Sequence, residues 1–213
     1  MKLSKQAQLI LNQLSDKNTK LGDVRKIAKE IKKDHLLAIE LWSTKLFFPR
    51  QLAILLMDKK LLTEDSINQF VDDINLHEEN EKLQLIDWLM ANQLMKDKRT
   101  IEYIENWKES TSSLQRRVFW YYKGRLRWMG KIYEDSEELL STIENQIANE
   151  PPEVQWAMNF TAGWIGVYEK ELRQKAIEIG EKTGLYKGKK VSKGCTPEYL
   201  PEFIAIESNK RNL

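Results

Sequence analysis

One segment of this 213-residue chain interleaves aromatic and basic side chains. It runs from Trp107 to Trp128 and contains Arg116-Arg, then Phe119-Trp-Tyr-Tyr, then Lys123-Gly-Arg-Leu-Arg. Arginine and lysine contact phosphates, and exposed aromatic rings stack on bases or sugars. The same rings are also typical of the core of amphipathic helices. The pattern therefore leaves two interpretations open, a nucleic-acid surface or a packed core.

A second basic cluster lies near the end of the chain and consists of Lys187, Lys189, Lys190 and Lys193. The formal net charge is only +2, because 34 lysines and arginines are balanced by 32 aspartates and glutamates. Runs of charge are usually solvated faces, and so small a net charge does not by itself predict nucleic-acid binding. The clusters indicate where a phosphate-binding surface would lie.

Metal and nucleotide chemistry find no support in the sequence. Two widely separated histidines, His35 and His77, and one cysteine, Cys195, do not form a metal-ligand pattern. We therefore expect no metal and no cofactor, and no glycine-rich phosphate loop is present. Cys195 follows a lysine-rich loop. With no histidine near it in sequence, we interpret Cys195 as a packed residue and not as a nucleophile.

The bulk composition points to a globular protein. Hydrophobic residues make up 41% and charged residues 31% of the chain, which allows a core beneath a charged surface. No apolar run reaches the roughly 18 residues of a membrane span, and the N-terminus has no apolar signal core. A single cysteine fits a reducing compartment. These features predict a cytoplasmic protein with no membrane partner.

The elements that must position these residues are helices. Apolar residues recur at helical spacing, for example Ile67, Phe70, Val71 and Ile74, and Thr63-Glu-Asp is typical of a helix start. We predict an array of helices joined by short links. The approximate segments are 3–14, 22–33, 35–45, 49–59, 64–75, 78–96, 99–109, 113–129, 135–148, 152–167, 169–183 and 197–209.

Short links make neighbouring helices antiparallel, and pairs of them have the length of HEAT or armadillo repeats. We predict an all-α fold, a HEAT-like or armadillo-type α-α superhelix of stacked antiparallel helix pairs, forming one domain over residues 1–213. No sharp sequence period accompanies the pairs, so a compact irregular helical bundle is the structural alternative.

Three stretches resemble the AlkD-like family of DNA alkylation repair proteins. The first is Leu21-Gly-Asp-Val-Arg-Lys-Ile-Ala-Lys-Glu-Ile, which continues to His35-Leu-Leu-Ala-Ile-Glu-Leu-Trp. The second is Leu114-Gln-Arg-Arg. The third is Val154-Gln-Trp-Ala-Met-Asn-Phe, followed by an Ala-Ile-Glu-Ile-Gly helix and Gly194-Cys-Thr-Pro-Glu-Tyr. The resemblance covers most of the chain and implies a HEAT-like fold whose basic concave face holds duplex DNA.

The resemblance also implies a site. Active members release N3- or N7-alkylated purines with an aspartate four residues after a tryptophan, aided by a second tryptophan and an arginine. Here Trp88 matches the first tryptophan, Phe160 the second and Arg116 the arginine, but Asn92 stands at the aspartate position. A carboxylate stabilises the positive charge that develops on the sugar when the glycosidic bond breaks. Because an asparagine carries no such charge, we expect weak or absent glycosylase activity.

The leading hypothesis is therefore a DNA-binding protein of the alkylation repair family, a monomer that binds double-stranded DNA, which the resemblance extends to DNA with N3- or N7-alkylated purines. The predicted DNA contacts are Arg116, Arg117, Lys123, Arg125, Lys187, Lys189, Lys190 and Lys193. The alternative hypothesis is a helical-repeat scaffold that binds a protein partner and has no nucleic-acid role.

Overall fold

The computed structural model describes residues 3–131 and 133–213, and these contain helices but no strand. The α-helices are α1 (Lys5–Leu14), α2 (Leu21–Ile31), α3 (His35–Trp42), α4 (Phe47–Leu56), α5 (Glu64–Asn75), α6 (Glu79–Asn92), α7 (Lys98–Glu105), α8 (Ser113–Trp128), α9 (Ser136–Gln146), α10 (Pro152–Tyr168), α11 (Lys170–Thr183) and α12 (Leu200–Arg211). Short 3-10 helices span Lys59–Leu61, Leu94–Lys96 and Ile147–Asn149. The all-α prediction is confirmed.

The helices bury the stripes that their sequences predict. Ile67, Phe70, Val71 and Ile74 are all buried on one side of α5. The start of this helix is also as predicted. The Thr63 hydroxyl accepts a hydrogen bond from the backbone N–H of Ser66, and the backbone N–H of Thr63 donates to the Ser66 hydroxyl. Local sequence thus fixes both where α5 begins and which side it buries.

The last helix begins later than its sequence suggested. Thr196-Pro-Glu looked like a cap, but α12 starts at Leu200 and its first turn contains Pro201. The Thr196 hydroxyl instead donates to the Glu207 carboxylate in the body of the helix. Proline suits the first turn of a helix because it has no backbone N–H to leave unpaired, and here Pro201 marks the start.

The chain forms two compact units, Met1–Asn106 and Trp107–Leu213. In the first unit, α2 packs on α4 and α4 on α6, while α1 packs on α3. Contacts between helices that are two apart in the chain are expected when helix pairs stack on one another. Side chains of α4, α5 and α6 fill this core, with Leu52, Ile54, Ile74, Leu85 and Leu89 entirely buried.

The second unit repeats the arrangement, with α8 on α10, α10 on α12 and α9 on α11. Its centre is α10, whose close approach to α8 depends on Gly124. A β-carbon at Gly124 would lie 2.5 Å from the Phe160 ring and 2.9 Å from the Thr161 hydroxyl. Thr161 in turn donates 2.6 Å to the carbonyl of Trp120, a fully buried residue of α8. The prediction of one domain over 1–213 stays a prediction.

Candidate nucleic-acid interface

The predicted site residues divide between the two units. Trp88 and Asn92 lie on α6 of the first unit. Those in the second unit are Arg116, Arg117, Lys123 and Arg125 on α8, Phe160 on α10, and Lys187, Lys189, Lys190 and Lys193 between α11 and α12. The predicted helical residues therefore all belong to α6, α8 and α10, while the lysines occupy a loop.

Trp88 and Asn92 contact each other within α6, as their spacing of four residues predicts. The Asn92 side-chain amide donates a 2.9 Å hydrogen bond to the carbonyl of Trp88. The indole N–H of Trp88 donates to the carbonyl of Gln51 at 3.1 Å, which fixes the ring against α4. Asn92 is therefore a neutral amide bonded to its own helix, and both side chains are only partly buried.

The surroundings of Trp88 are electropositive. The guanidinium carbon of Arg25, an exposed residue of α2, lies 5.2 Å from the centroid of the Trp88 ring, a cation–π contact. A cation at this ring would repel a sugar that is acquiring positive charge, and would attract a phosphate. Arg25 lies inside the first stretch that carries the family resemblance, but its sequence position alone gave no sign of this contact.

Arg116 is held by the protein itself. Its Nε and Nη2 bond both oxygens of the Glu150 carboxylate at 2.8–3.1 Å, and Nη1 donates 2.6 Å to the carbonyl of Ser110. This bidentate pair joins α8 to the loop before α10. To contact a phosphate, Arg116 would have to leave Glu150.

Arg117 and Lys123, which the sequence predicted to contact DNA, are buried. The guanidinium of Arg117 stacks 4.5 Å from the centroid of the Trp156 ring and donates to the carbonyl of Glu153. Lys123 bonds Asp135 at 3.0 Å. Side chains held inside the unit do not reach a phosphate outside it. We therefore leave both out of the proposed interface.

A buried polar network explains why Lys123 is placed inward. Arg127, with no exposed surface, donates to Asp135 at 2.5 Å and to the Ser136 hydroxyl, which donates to Glu169 at 2.7 Å. Burial alone would raise the pKa of Asp135, but hydrogen bonds from Lys123 and Arg127 outweigh it and lower that pKa. The pKa of Glu169 is raised, chiefly by burial. These hydrogen bonds connect α8 to the residues around the starts of α9 and α11 inside the second unit.

Arg125, like Arg116, is a partly exposed arginine of α8, but no ion pair with a described residue holds it. Its guanidinium lies 5.7 Å from the Tyr121 ring and 5.2 Å from the Trp128 ring, and no described residue accepts a hydrogen bond from its Nε. Trp128 is 44% exposed, whereas Trp120 is fully buried. The aromatic segment thus contributes both to the core and to the surface, since some of its rings are buried and Trp128 is exposed.

The lysines of 187–193 are exposed, as a phosphate-binding loop requires. Lys189 pairs with Glu198 at 2.7 Å. Lys187 lies over the Tyr199 ring at 5.8 Å. Tyr186 anchors the loop, and its burial, with the Glu198 charge nearby, raises the pKa of Tyr186 to about 12. Cys195, predicted to be packed, is instead exposed, because the loop around it extends into solvent.

An aromatic ladder that the sequence analysis did not recognise runs along α10. Trp156, Phe160, Trp164 and Tyr168 recur every four residues, and each ring contacts the next at centroid distances of 5.4–6.1 Å. Trp156 and Phe160, with Asn159, Glu198 and Phe203, line a cavity of about 160 Å³. The spacing of the rings was visible in the sequence, but the position of Glu198 and Phe203 beside them depends on the fold.

No group of three or more His, Cys, Asp or Glu side chains in 3–131 and 133–213 is arranged to hold a metal ion. Among the same residues, no helix is both long and apolar enough to cross a membrane.

Comparison with known proteins places this geometry in a family. The family model described as DNA alkylation repair enzyme matches residues 13–189. This match spans most of the chain, and the protein belongs to the DNA alkylation repair family. An uncharacterized protein of Listeria innocua serovar 6a is 24% identical over 196 residues, which make up 91% of this chain and 82% of that protein.

The fold is also found in a solved structure. The protein in that structure is described as one of a new family of proteins related to the HEAT-like repeat DNA glycosylases, with affinity for branched DNA structures. The match has a TM-score of 0.70 at 20% sequence identity and covers 99% of this chain and 90% of that chain. The predicted HEAT-like fold class is confirmed.

Proposed function

We propose that the protein binds double-stranded DNA, branched DNA in particular, and that any release of N3- or N7-alkylated purines by it is slow. Membership of a DNA repair family supports the first part, and the branched-DNA affinity of the protein with the same fold supports the preference. The monomeric state and the cytoplasmic location stay predictions from the sequence.

The proposed DNA surface is smaller than the sequence suggested. It consists of Arg125 on α8 and the loop lysines Lys187, Lys189, Lys190 and Lys193. These side chains are at least partly exposed, so phosphates can reach them without breaking a buried ion pair. Trp128, exposed beside Arg125, adds a ring on which a base or sugar can stack.

One observation carries the proposal of weak catalysis, the bond from the Asn92 amide to the Trp88 carbonyl. If Asn92 occupies the site aspartate's position, a neutral dipole turned toward its own helix replaces a carboxylate. The Arg25 guanidinium at the Trp88 ring then adds positive charge where negative charge is needed. Both features reduce stabilisation of a positively charged transition state.

DNA binding is tested by titrating labelled duplex and four-way junction with protein between 50 and 200 mM salt. Log affinity falls with log salt, and each lost phosphate contact makes this fall shallower by about 1 unit of slope. Lys190→Ala combined with Lys193→Ala should therefore reduce the magnitude of the slope by about 2. Lys5→Ala with Lys17→Ala removes the same charge from exposed positions on and near α1 and should leave it unchanged. Absence of salt-dependent binding would favour the protein-scaffold alternative.

Catalysis is tested by measuring base release from duplex DNA that contains 7-methylguanine. We expect little release by the natural protein and a clear gain in the Asn92→Asp variant, because the carboxylate is restored on the same helix as Trp88. An equal and substantial rate for both proteins would refute the assignment of Asn92. Trp88→Ala combined with Asn92→Asp should abolish the gain.

A further inference from the structure

The cavity beside the aromatic ladder is built differently from an ordinary packing defect. Its walls are the rings of Trp156, Phe160 and Phe203, all partly exposed, so that it opens to solvent. Its polar side is formed by Glu198 and by Asn159, which is 5% exposed. At about 160 Å³ it has room for roughly five water molecules of about 30 Å³ each, well below the ~300–1,000 Å³ of pockets for drug-sized ligands.

The polar groups of the cavity offer acceptors. Glu198 Oε1 accepts from the Trp156 indole at 2.7 Å and Oε2 accepts from Lys189 at 2.7 Å. A carboxylate provides about four lone-pair sites, so each oxygen keeps one for a ligand. The Asn159 amide nitrogen donates to the Glu198 backbone carbonyl at 2.8 Å, which fixes the Glu198 backbone at the cavity wall. The cavity therefore suits a small planar ring with adjacent N–H donors.

We propose that this cavity, the base pocket, receives one unpaired guanine of the bound DNA. The inference rests on the proposed DNA binding and names the feature of branched DNA that the protein recognises. Bases that leave the stack are held by aromatic side chains and identified through their Watson–Crick edge. Guanine presents N1–H and N2–H₂ side by side, which matches two acceptors, whereas thymine presents one N–H between two carbonyl oxygens.

The loop beside the base pocket indicates that the ligand is a base attached to its phosphates and not an isolated ring. Lys189 reaches the pocket through its bond to Glu198, and Lys187 lies over Tyr199, the next residue along the chain. Both ammonium groups are available to the phosphates on either side of an extruded base. The pair between Lys189 and Glu198 also orients the carboxylate, so that its remaining lone pairs can accept hydrogen bonds.

The experiment compares the full-length protein on one labelled duplex that carries a single-nucleotide bulge of guanine, thymine or an abasic residue. Base–aromatic stacking is worth about 1–3 kcal/mol, so we expect the guanine bulge to bind about tenfold or more tightly than the abasic bulge, with thymine between them. The ratio of affinities is the readout, because general electrostatic attraction is the same for all three DNAs.

Two conservative variants separate recognition from folding. Phe203→Leu keeps an apolar side chain but removes a stacking surface, and Glu198→Gln keeps the shape but replaces one acceptor by a donor. Phe203→Leu should lower the guanine-to-abasic ratio and Glu198→Gln should bring the guanine-to-thymine ratio close to one, with the circular dichroism spectrum unchanged in both. Ile206→Ala, which shortens an exposed apolar side chain of α12 outside the pocket, should leave both ratios as they were.

The possible failures are distinguishable. Equal affinity for all three bulges, with salt-dependent binding intact, would overturn the base pocket and leave the proposed DNA binding in place. A guanine preference that survives both Phe203→Leu and Glu198→Gln would assign the recognition to another site and overturn the pocket as well. Absence of binding to any of the DNAs would overturn the proposed function together with the inference that rests on it.

Discussion

Asn92 is the last residue of α6, where unpaired backbone carbonyls give the helix end a partial negative charge. Its amide is compatible with that end, since it donates to the Trp88 carbonyl. An aspartate there would lose the donor and place a negative charge near the carbonyls. We expect Asn92→Asp to lower the free energy of unfolding by about 1 kcal/mol at pH 7, as measured by urea denaturation.

The same variant should show a characteristic pH dependence. The helix end raises the folded-state pKa of the new carboxyl above its unfolded value of about 3.9. The cost is therefore complete above the folded-state pKa and disappears as the pH falls below the unfolded one. Asn92→Ala, which adds no charge, is the control and should show no such pH dependence. An Asn92→Asp variant as stable as the natural protein at pH 7 would contradict this account of the helix end.

At the scale of single residues, the sequence identified the right chemical types but not their partners. The sequence did not show whether Arg116 and Arg117 bind DNA or the protein itself. The groups that accept their hydrogen bonds, the Glu150 carboxylate and the Glu153 carbonyl, lie more than 30 positions away. An ion pair between such distant residues follows from the packing of α8 near α10. No local pattern reveals it, which is why structural arginines were predicted to contact DNA.

At the scale of elements, the contact between α8 and α10 depends on a residue without a side chain. In Gly124→Ala, helix propensity would gain about 1 kcal/mol, but the new methyl group would meet the Phe160 ring at 2.5 Å. Overpacking of this kind costs about 1–3 kcal/mol. We expect a net loss of up to about 2 kcal/mol in the free energy of unfolding, together with a weaker guanine preference because the Phe160 ring must shift.

The matched control is Gly22→Ala in α2. A β-carbon at Gly22 would meet no atom within 4 Å, so helix propensity acts alone. Urea denaturation should show this variant to be more stable, by up to about 1 kcal/mol. Stabilisation by both substitutions would show that α8 and α10 can move apart at little cost, contrary to the tight packing described above.

Most helices could be predicted from periodicity and caps, and α5, α8 and α10 begin within a residue or two of the predicted positions. The base pocket could not be predicted, because it combines side chains of α10 with Glu198 and Phe203 from the segment that leads into α12. The ladder on α10 alone is also what a core helix would show. Which side of it faces solvent is decided by neighbouring helices, and their arrangement is not written in local spacing.

At the scale of the whole molecule, the open question is whether the two compact units unfold together. Arg127→Met tests this, because it leaves Asp135 and Glu169 without their buried arginine in the second unit. Breaking such a network costs about 3–5 kcal/mol. A single domain over 1–213 predicts that the slowest-exchanging amides of both units lose the same protection, as measured by hydrogen exchange.

Arg125→Met on the same helix is the control, since Arg125 is partly exposed and belongs to no buried network. It should cost less than about 1 kcal/mol. If Arg127→Met accelerated exchange between Trp107 and Leu213 alone, the two units would unfold separately and the prediction of one domain would be wrong.

The contact between Gly124 and Phe160 also constrains the order in which the sequence can change over generations. A lineage that first acquired alanine at position 124 would suffer a clash with the Phe160 ring, the nearest group, which a smaller side chain at position 160 relieves. A lineage that first reduced residue 160 would find the change at 124 harmless or favourable. Position 160 is matched to a tryptophan by the family resemblance. The size of the side chain that it tolerates thus depends on which residue stands at position 124. Among relatives, we expect bulky aromatic rings at 160 to coincide with glycine at 124.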